Sequence, residues 1–164
     1  MDSNPADLLG IYLSDHHAGS TTGVELARRA AGTNAGTELG TLLERLAAEI
    51  DADREELEAM MGEVGAGTDR AKDAMAWVGE KVGRLKGNGQ LVGTSPLSRV
   101  VELEGLSLGI EGKRLLWLAL EAAADPRLST HDFAALAERA ARQRQELEPF
   151  RVAAAASAVA VEQP

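Results

Sequence analysis

Apolar residues recur along this chain at three- and four-residue steps, the spacing of one helix face, with no sustained strand-like alternation. The first such run spans 5–31. Asn4-Pro5-Ala6-Asp7 supplies a cap, a proline at the first helical position and an acidic first turn, and Gly32 is its stop. Its stripe is Leu9, Leu13, His16, Gly19 or Ser20, Gly23, Leu26 and Ala30. The second run, 37–61, carries Leu39, Leu42, Leu43, Leu46, Ile50, Leu57 and Met60 or Met61, interrupted by Asp53 and Arg54. A shorter third run, 68–85, has Ala71, Met75, Val78, Val82 and Leu85 on one side and charges on the other, followed by a glycine-rich connection. The fourth, Pro96 to Ala123, is the most apolar, yet it contains Glu102, Glu104, Glu111 and the glycines 105, 109 and 112. The fifth, 130–159, follows Ser129-Thr130-His131-Asp132, which reads as a capping box with Asp in place of Glu. Its stripe is Phe133, Leu136, Ala140, Leu147, Phe150, Ala154 and Ala158, with Gln143 and Arg144 in the middle.

These runs predict an all-α single domain over 1–164. The short turn at 32–36 makes the first two helices an antiparallel hairpin. The long interval before Pro96 is a crossover carrying the short helix, and a second hairpin follows. An interior glycine costs about 1 kcal/mol relative to alanine, so Gly105, Gly109 and Gly112 need a reason. Close approach of another helix is the expected one, with Gly19-x-x-x-Gly23 of the first helix a matching partner.

Composition supports the helical reading: 29 alanines, and aromatics at only 3%. The net charge of −9 argues against a nucleic-acid partner, which calls for a basic face. No long uninterrupted apolar run exists to span a membrane. The absence of cysteine removes disulfides, thiolate chemistry and cysteine metal sites, and with no basic-then-apolar N-terminal segment it fits a cytoplasmic protein. Lys86-Gly-Asn-Gly-Gln lacks the lysine and hydroxyl spacing of a phosphate loop. No nucleophile with an adjacent base can be assigned.

The helix order, with Tyr12-Leu-Ser-Asp-His-His17 in the first helix, Glu44 to Met61 in the second and Glu102-Leu-Glu-Gly-Leu-Ser-Leu-Gly-Ile-Glu111 in the third long one, resembles the ferritin-like superfamily. Within that superfamily it resembles in particular the small stress-associated bacterial bundles of the YciF-like kind. The resemblance implies an antiparallel four-helix bundle with a short extra helix in its central crossover. Di-iron members of that superfamily use Glu-x-x-His pairs, because residues three apart grip one metal from one helix face. Here Glu49, Glu104, Glu111 and Glu138 are followed at that spacing by Ala52, Ser107, Arg114 and Ala141. The resemblance therefore implies a fold, with an altered site at most.

Two functions follow. One is a non-enzymatic bundle acting through self-association, as a homo-oligomer, or through a protein partner, with no cofactor expected. The other is a stress-related oxidoreductase binding iron or manganese at an altered carboxylate site. Its metal ligands would be His16, Glu49, Glu104 and Glu111, imidazole and carboxylates being the donors such metals take. Each also has a plain structural role open to it. His16 can be a hydrogen-bonded core histidine. Glu49 and Asp53 can form a solvated face with Arg45, and Glu104 and Glu111 can reach solvent or an arginine such as Arg144. His131, in a first turn, reads as a surface residue.

Overall fold

A computed structural model describes residues 5–66 and 96–160, with side chains from Leu8 onward. They form four long helices: α1 (Pro5–Thr33), α2 (Glu38–Val64), α3 (Pro96–Ala123) and α4 (Phe133–Val159), with a single 3-10 turn at Pro126–Leu128. The predicted helix 68–85 and the glycine-rich connection after it lie outside the described residues. Strands are absent among the described residues, and no helix there is long and apolar enough to cross a membrane.

The helix ends follow from local chemistry. Thr37 caps α2, its hydroxyl oxygen accepting the Gly40 amide at 3.0 Å. Gly65 ends α2 in the left-handed conformation (φ 72°), which glycine adopts without strain. At α4 the cap is Asp132, whose carboxylate accepts the Ala135 amide at 2.9 Å, so the helix begins three residues later than the capping-box reading placed it. The shorter side chain of Asp132 reaches the amide three residues ahead of itself, as capping aspartates do.

The α1–α2 turn is held by two side-chain hydrogen bonds. Asn34 donates its side-chain amide to the Ala30 carbonyl at 2.7 Å, and the Thr37 hydroxyl donates to the Asn34 carbonyl at 2.7 Å. Gly40 lies directly under this turn. A Cβ there would stand 2.2 Å from the Asn34 carbonyl oxygen, so only glycine fits.

Packing is strongest within the α1–α2 and α3–α4 hairpins, and α1 against α3 joins the two. The α2 stripe is buried as its spacing predicts, from Leu39 through Ile50 to Leu57, Met60 and Met61. On α4, Leu136, Ala140 and Leu147 are buried, and Phe133, Phe150, Ala154 and Ala158 are half-buried. α1 uses a rotated face: Leu13 and Ala30 are buried, joined by Ala18, Val24, Ala27 and Ala31 in place of Leu9 and Leu26, which are half-buried. The core divides into two apolar clusters. One gathers Val24, Leu43, Leu46, Ile50, Leu103, Leu106 and Leu147, and the other gathers Leu13, Leu57, Met60, Leu116, Trp117, Leu120 and Leu128.

Gly40→Ala forces the turn off the helix and is expected to destabilise the protein by about 2–3 kcal/mol, the cost of overpacking. Gly62→Ala, where a Cβ meets nothing within 4 Å, is expected to stabilise it by up to about 1 kcal/mol through helix propensity. Equilibrium denaturant unfolding of the two variants checks both signs.

Candidate functional site

Where the two clusters meet, the inner stripes of three helices each carry a polar residue. On α2 it is Asp53, between Ile50 and Leu57; on α3 it is Lys113, between Ile110 and Trp117; on α4 it is Gln143, between Ala140 and Leu147. Burying each stripe carries these side chains inward. The Asp53 side chain is only 1% exposed and pairs with both Lys113 and Arg139. The Lys113 ammonium also donates to Gln143 Oε1 at 2.7 Å, and Gln143 Nε2 donates to Glu49 Oε2 at 3.0 Å. Glu49 accepts from Arg45 at 2.9 Å, and Arg45 reaches Glu146 at 2.6 Å. A continuous polar chain thus runs from the interior to the surface across α2, α3 and α4. Burial lowers the Lys113 pKa, against the opposing pull of Asp53. Burial raises that of Glu49, but the Gln143 and Arg45 hydrogen bonds outweigh it and the net shift is downward.

Beside this chain, between α1, α2 and α3, lies a cavity of about 320 Å³. Gly19 and Gly23 of α1 and Gly105, Gly109 and Gly112 of α3 line it, with Ile50, Leu57, Leu106, Ile110 and Leu116 forming apolar wall. The glycines do not act as the expected close-packing seam. Only Gly105 is tight, a Cβ there lying 3.3 Å from Leu26 Cδ2, and at Gly19, Gly109 and Gly112 a Cβ would meet nothing within 4 Å.

The four residues proposed from sequence as metal ligands are dispersed. His16 borders the cavity with its ring edge-on to Tyr12, centroids 4.7 Å apart. Burial lowers its pKa, partly offset by Asp15. Glu49 belongs to the polar chain. Glu104 is exposed and 3.6 Å from Arg151. Glu111 accepts from Arg114 at 2.7 and 3.0 Å and from Arg144 at 2.7 Å. Those arginines, Arg114 first, hold its carboxyl down to about 2. Among the described residues no group of three or more His, Asp or Glu side chains is arranged to hold a metal ion.

Sequence reasoning missed the Asp53–Lys113–Arg139 cluster, although a signal existed: opposite charges sit three residues after an isoleucine and four before an apolar residue on two different stripes. It also misplaced His131. That side chain is 8% exposed, with Nδ1 2.7 Å from Glu56 and Nε2 3.0 Å from Glu63, so it ties the α4 approach to α2. Two rings carry buried nitrogens with no hydrogen-bond partner: the half-buried His17 at both ring nitrogens and the buried Trp117 at its indole nitrogen.

Comparison with protein families, with curated proteins and with solved structures gives no match.

Asp53→Leu leaves the buried Lys113 without its carboxylate, and Lys113→Met leaves the buried Asp53 with only one of its two cations; each is expected to cost about 3–5 kcal/mol. The double variant is expected to lose less than either single one, since the half-exposed Arg139 can turn to water. A double-mutant cycle by denaturant unfolding measures this, and additive losses would refute the coupling. At His131, burial lowers the pKa, but the hydrogen bonds to Glu56 and Glu63 and their charges raise it above the ordinary 6.5 overall. A raised histidine stabilises the fold fully below its unfolded pKa, and that gain is lost as pH rises through the folded pKa. His131→Ala is therefore expected to destabilise by on the order of 1 kcal/mol more at pH 5.5 than at pH 8.5, the carboxylates being partly solvent-screened. Thermal unfolding at the two pH values checks it.

Proposed function

We propose that the chain is a non-enzymatic, ferritin-like helical bundle that acts through self-association, a second copy covering the outer face of α3. The observation that carries this is the exposed apolar stripe Leu97, Val101, Leu108, Leu115 and Leu118. Leu108 is 74% exposed, the most open large apolar residue on the described helices. Spacings of three, four and seven residues make the stripe a heptad-like seam, the pattern that seats one helix against another. Val152 and Val159 on α4 are exposed as well. Glu104 and Glu111 interrupt the seam and are neutralised by Arg151 and by Arg114 and Arg144, so the face presents no unpaired glutamate between its leucines. An exposed apolar stripe along one helix face supports the reading of that face as an interaction surface. The two-hairpin order and the long interval between α2 and α3 support the ferritin-like part of the reading.

Sedimentation equilibrium tests the proposal. A mass twice the 17.3 kDa chain is expected. Leu108→Lys combined with Leu115→Lys is expected to weaken the dimer by at least about tenfold, 1.4 kcal/mol, with helicity unchanged because both side chains face outward. A wild-type monomer throughout the micromolar range would refute it.

A further inference from the structure

We propose that His131 is a proton-operated clasp between the α3–α4 connection and the end of α2: charged, it holds both Glu56 and Glu63, and neutral, it keeps Glu56 and releases Glu63, loosening the last turn of α2. The clasp uses no residue of the α3 seam and stands apart from self-association.

The geometry requires two protons on the ring. Glu56 and Glu63 are seven residues apart, about two turns of α2, so they stand on one face of it. The His131 ring lies between them, Nδ1 2.7 Å from Glu56 Oε1 and Nε2 3.0 Å from Glu63 Oε2. A carboxylate only accepts, and a neutral imidazole carries a single N–H. Both contacts are therefore hydrogen bonds only in the imidazolium. Removing one proton turns a lone pair toward a carboxylate oxygen, and that contact must open. The ring has little freedom to retreat. Its side chain is 8% exposed, the His131 amide donates to the Leu128 carbonyl at 3.2 Å, and the Phe133 ring lies beside it, centroids 6.1 Å apart. A carboxylate has to move instead.

Glu63 is the one that moves. Its contact is the longer and the more exposed of the two. It also sits in the last turn of α2, at the negative end of the helix dipole, and that turn has no basic residue of its own. The imidazolium is the cation this helix end lacks. Once the proton leaves, Glu63 turns to water. The Arg127 guanidinium, 3.4 Å from the Val64 carbonyl, then remains as a polar tie from the connection to this turn.

The charged groups around the ring come from α2 and from the connection itself. On the connection, the Asp132 carboxylate is taken by the Ala135 amide and the Asp125 carboxylate by Arg127. From α2 come Glu56 and Glu63. Burial lowers the His131 pKa, but the hydrogen bonds and charges of these two carboxylates raise it above the ordinary 6.5 overall. The stabilisation is complete below the unfolded pKa and is lost as pH rises through the higher folded one. The clasp is thus closed in mildly acid solution and opens on the alkaline side of 6.5.

The test is an NMR titration of the full-length, ¹⁵N-labelled protein between about pH 5.5 and 8.5. It follows the His131 ring nitrogens, assigned by their loss in His131→Gln. It also follows exchange of the Gly65 and Ala66 amides, which bond to the Gly62 and Met61 carbonyls across the end of α2. Both ring nitrogens are expected to carry protons at the acid end and Nδ1 alone at the alkaline end, with a midpoint above 6.5. Protection of the two amides, corrected for the intrinsic pH dependence of exchange, is expected to fall about two- to fivefold with the same midpoint, the size of a charge effect at a helix end. The Gly40 amide, held by Thr37 at the other end of α2, is expected to show no such step. Glu63→Gln changes a side chain that is 40% exposed, so it is expected to fold as the wild type does. Its amide both donates and accepts, so the step at Gly65 and Ala66 is expected to vanish while His131 still holds Glu56. A midpoint at or below 6.5, a neutral ring protonated at Nε2, pH-independent protection of both amides, or an undiminished step in Glu63→Gln would each overturn the proposal.

Discussion

The arrangement of this bundle depends on the burial of Asp53 between Lys113 and Arg139. A carboxylate taken that far from water needs both cations, and the ammonium in turn needs Gln143 and the carboxylate. Such a group gains little stability over well-packed leucine, but it tolerates few geometries. α3 is apolar on more than one side: Val100, Leu103, Leu106, Ile110, Leu116 and Trp117 point inward, while Val101, Leu108 and Leu115 point outward. The two sets lie on nearly opposite sides of the helix, so exchanging them takes roughly half a turn about its axis at ~100° per residue. Such a turn would withdraw Lys113 from Asp53. In this reading the ion pair selects the rotation of α3 and, with it, which leucines face solvent and which glycines border the cavity.

Much of the frame was readable from residues. The α2 stripe, the start of α2, both ends of α3 and the first hairpin follow from spacing, Thr37 and Pro96, whereas α2 runs three residues past the expected Met61 to its cap at Gly65. What periodicity misread was orientation where a helix is apolar or small all round. On α3 the helically spaced set Val101, Gly105, Leu108, Gly112 and Leu115 has no buried member, although apolar spacing alone does not set it apart from the inward-facing set. On α1 the same weakness favoured Leu9 and Leu26 over Val24, Ala27 and Ala31. The glycines were legible as costly, but whether they admit a helix or keep a space depends on how far away the neighbouring backbone lies. The candidate site was hardest to read because its members are distant in sequence: Asp53, Lys113 and Arg139 become partners only when three helices pack.

α3 serves two surfaces. Its glycines border the cavity and its outer leucines form the exposed seam directly beside them, Gly112 lying four residues from Leu108 and three from Leu115 on the same side of the helix.

The tight fit of Gly40 under the Asn34 carbonyl has a consequence for the order of assembly. The contacts that fix this turn join residues three to six apart in sequence, so closing it costs little chain entropy. The α1–α2 pair can form as a local unit while α3 is still unplaced, and α3 then docks on a preformed surface where Asp53 already stands. Substitutions at Thr37 would then slow folding, and those at Lys113 would chiefly speed unfolding, a division that stopped-flow kinetics resolves.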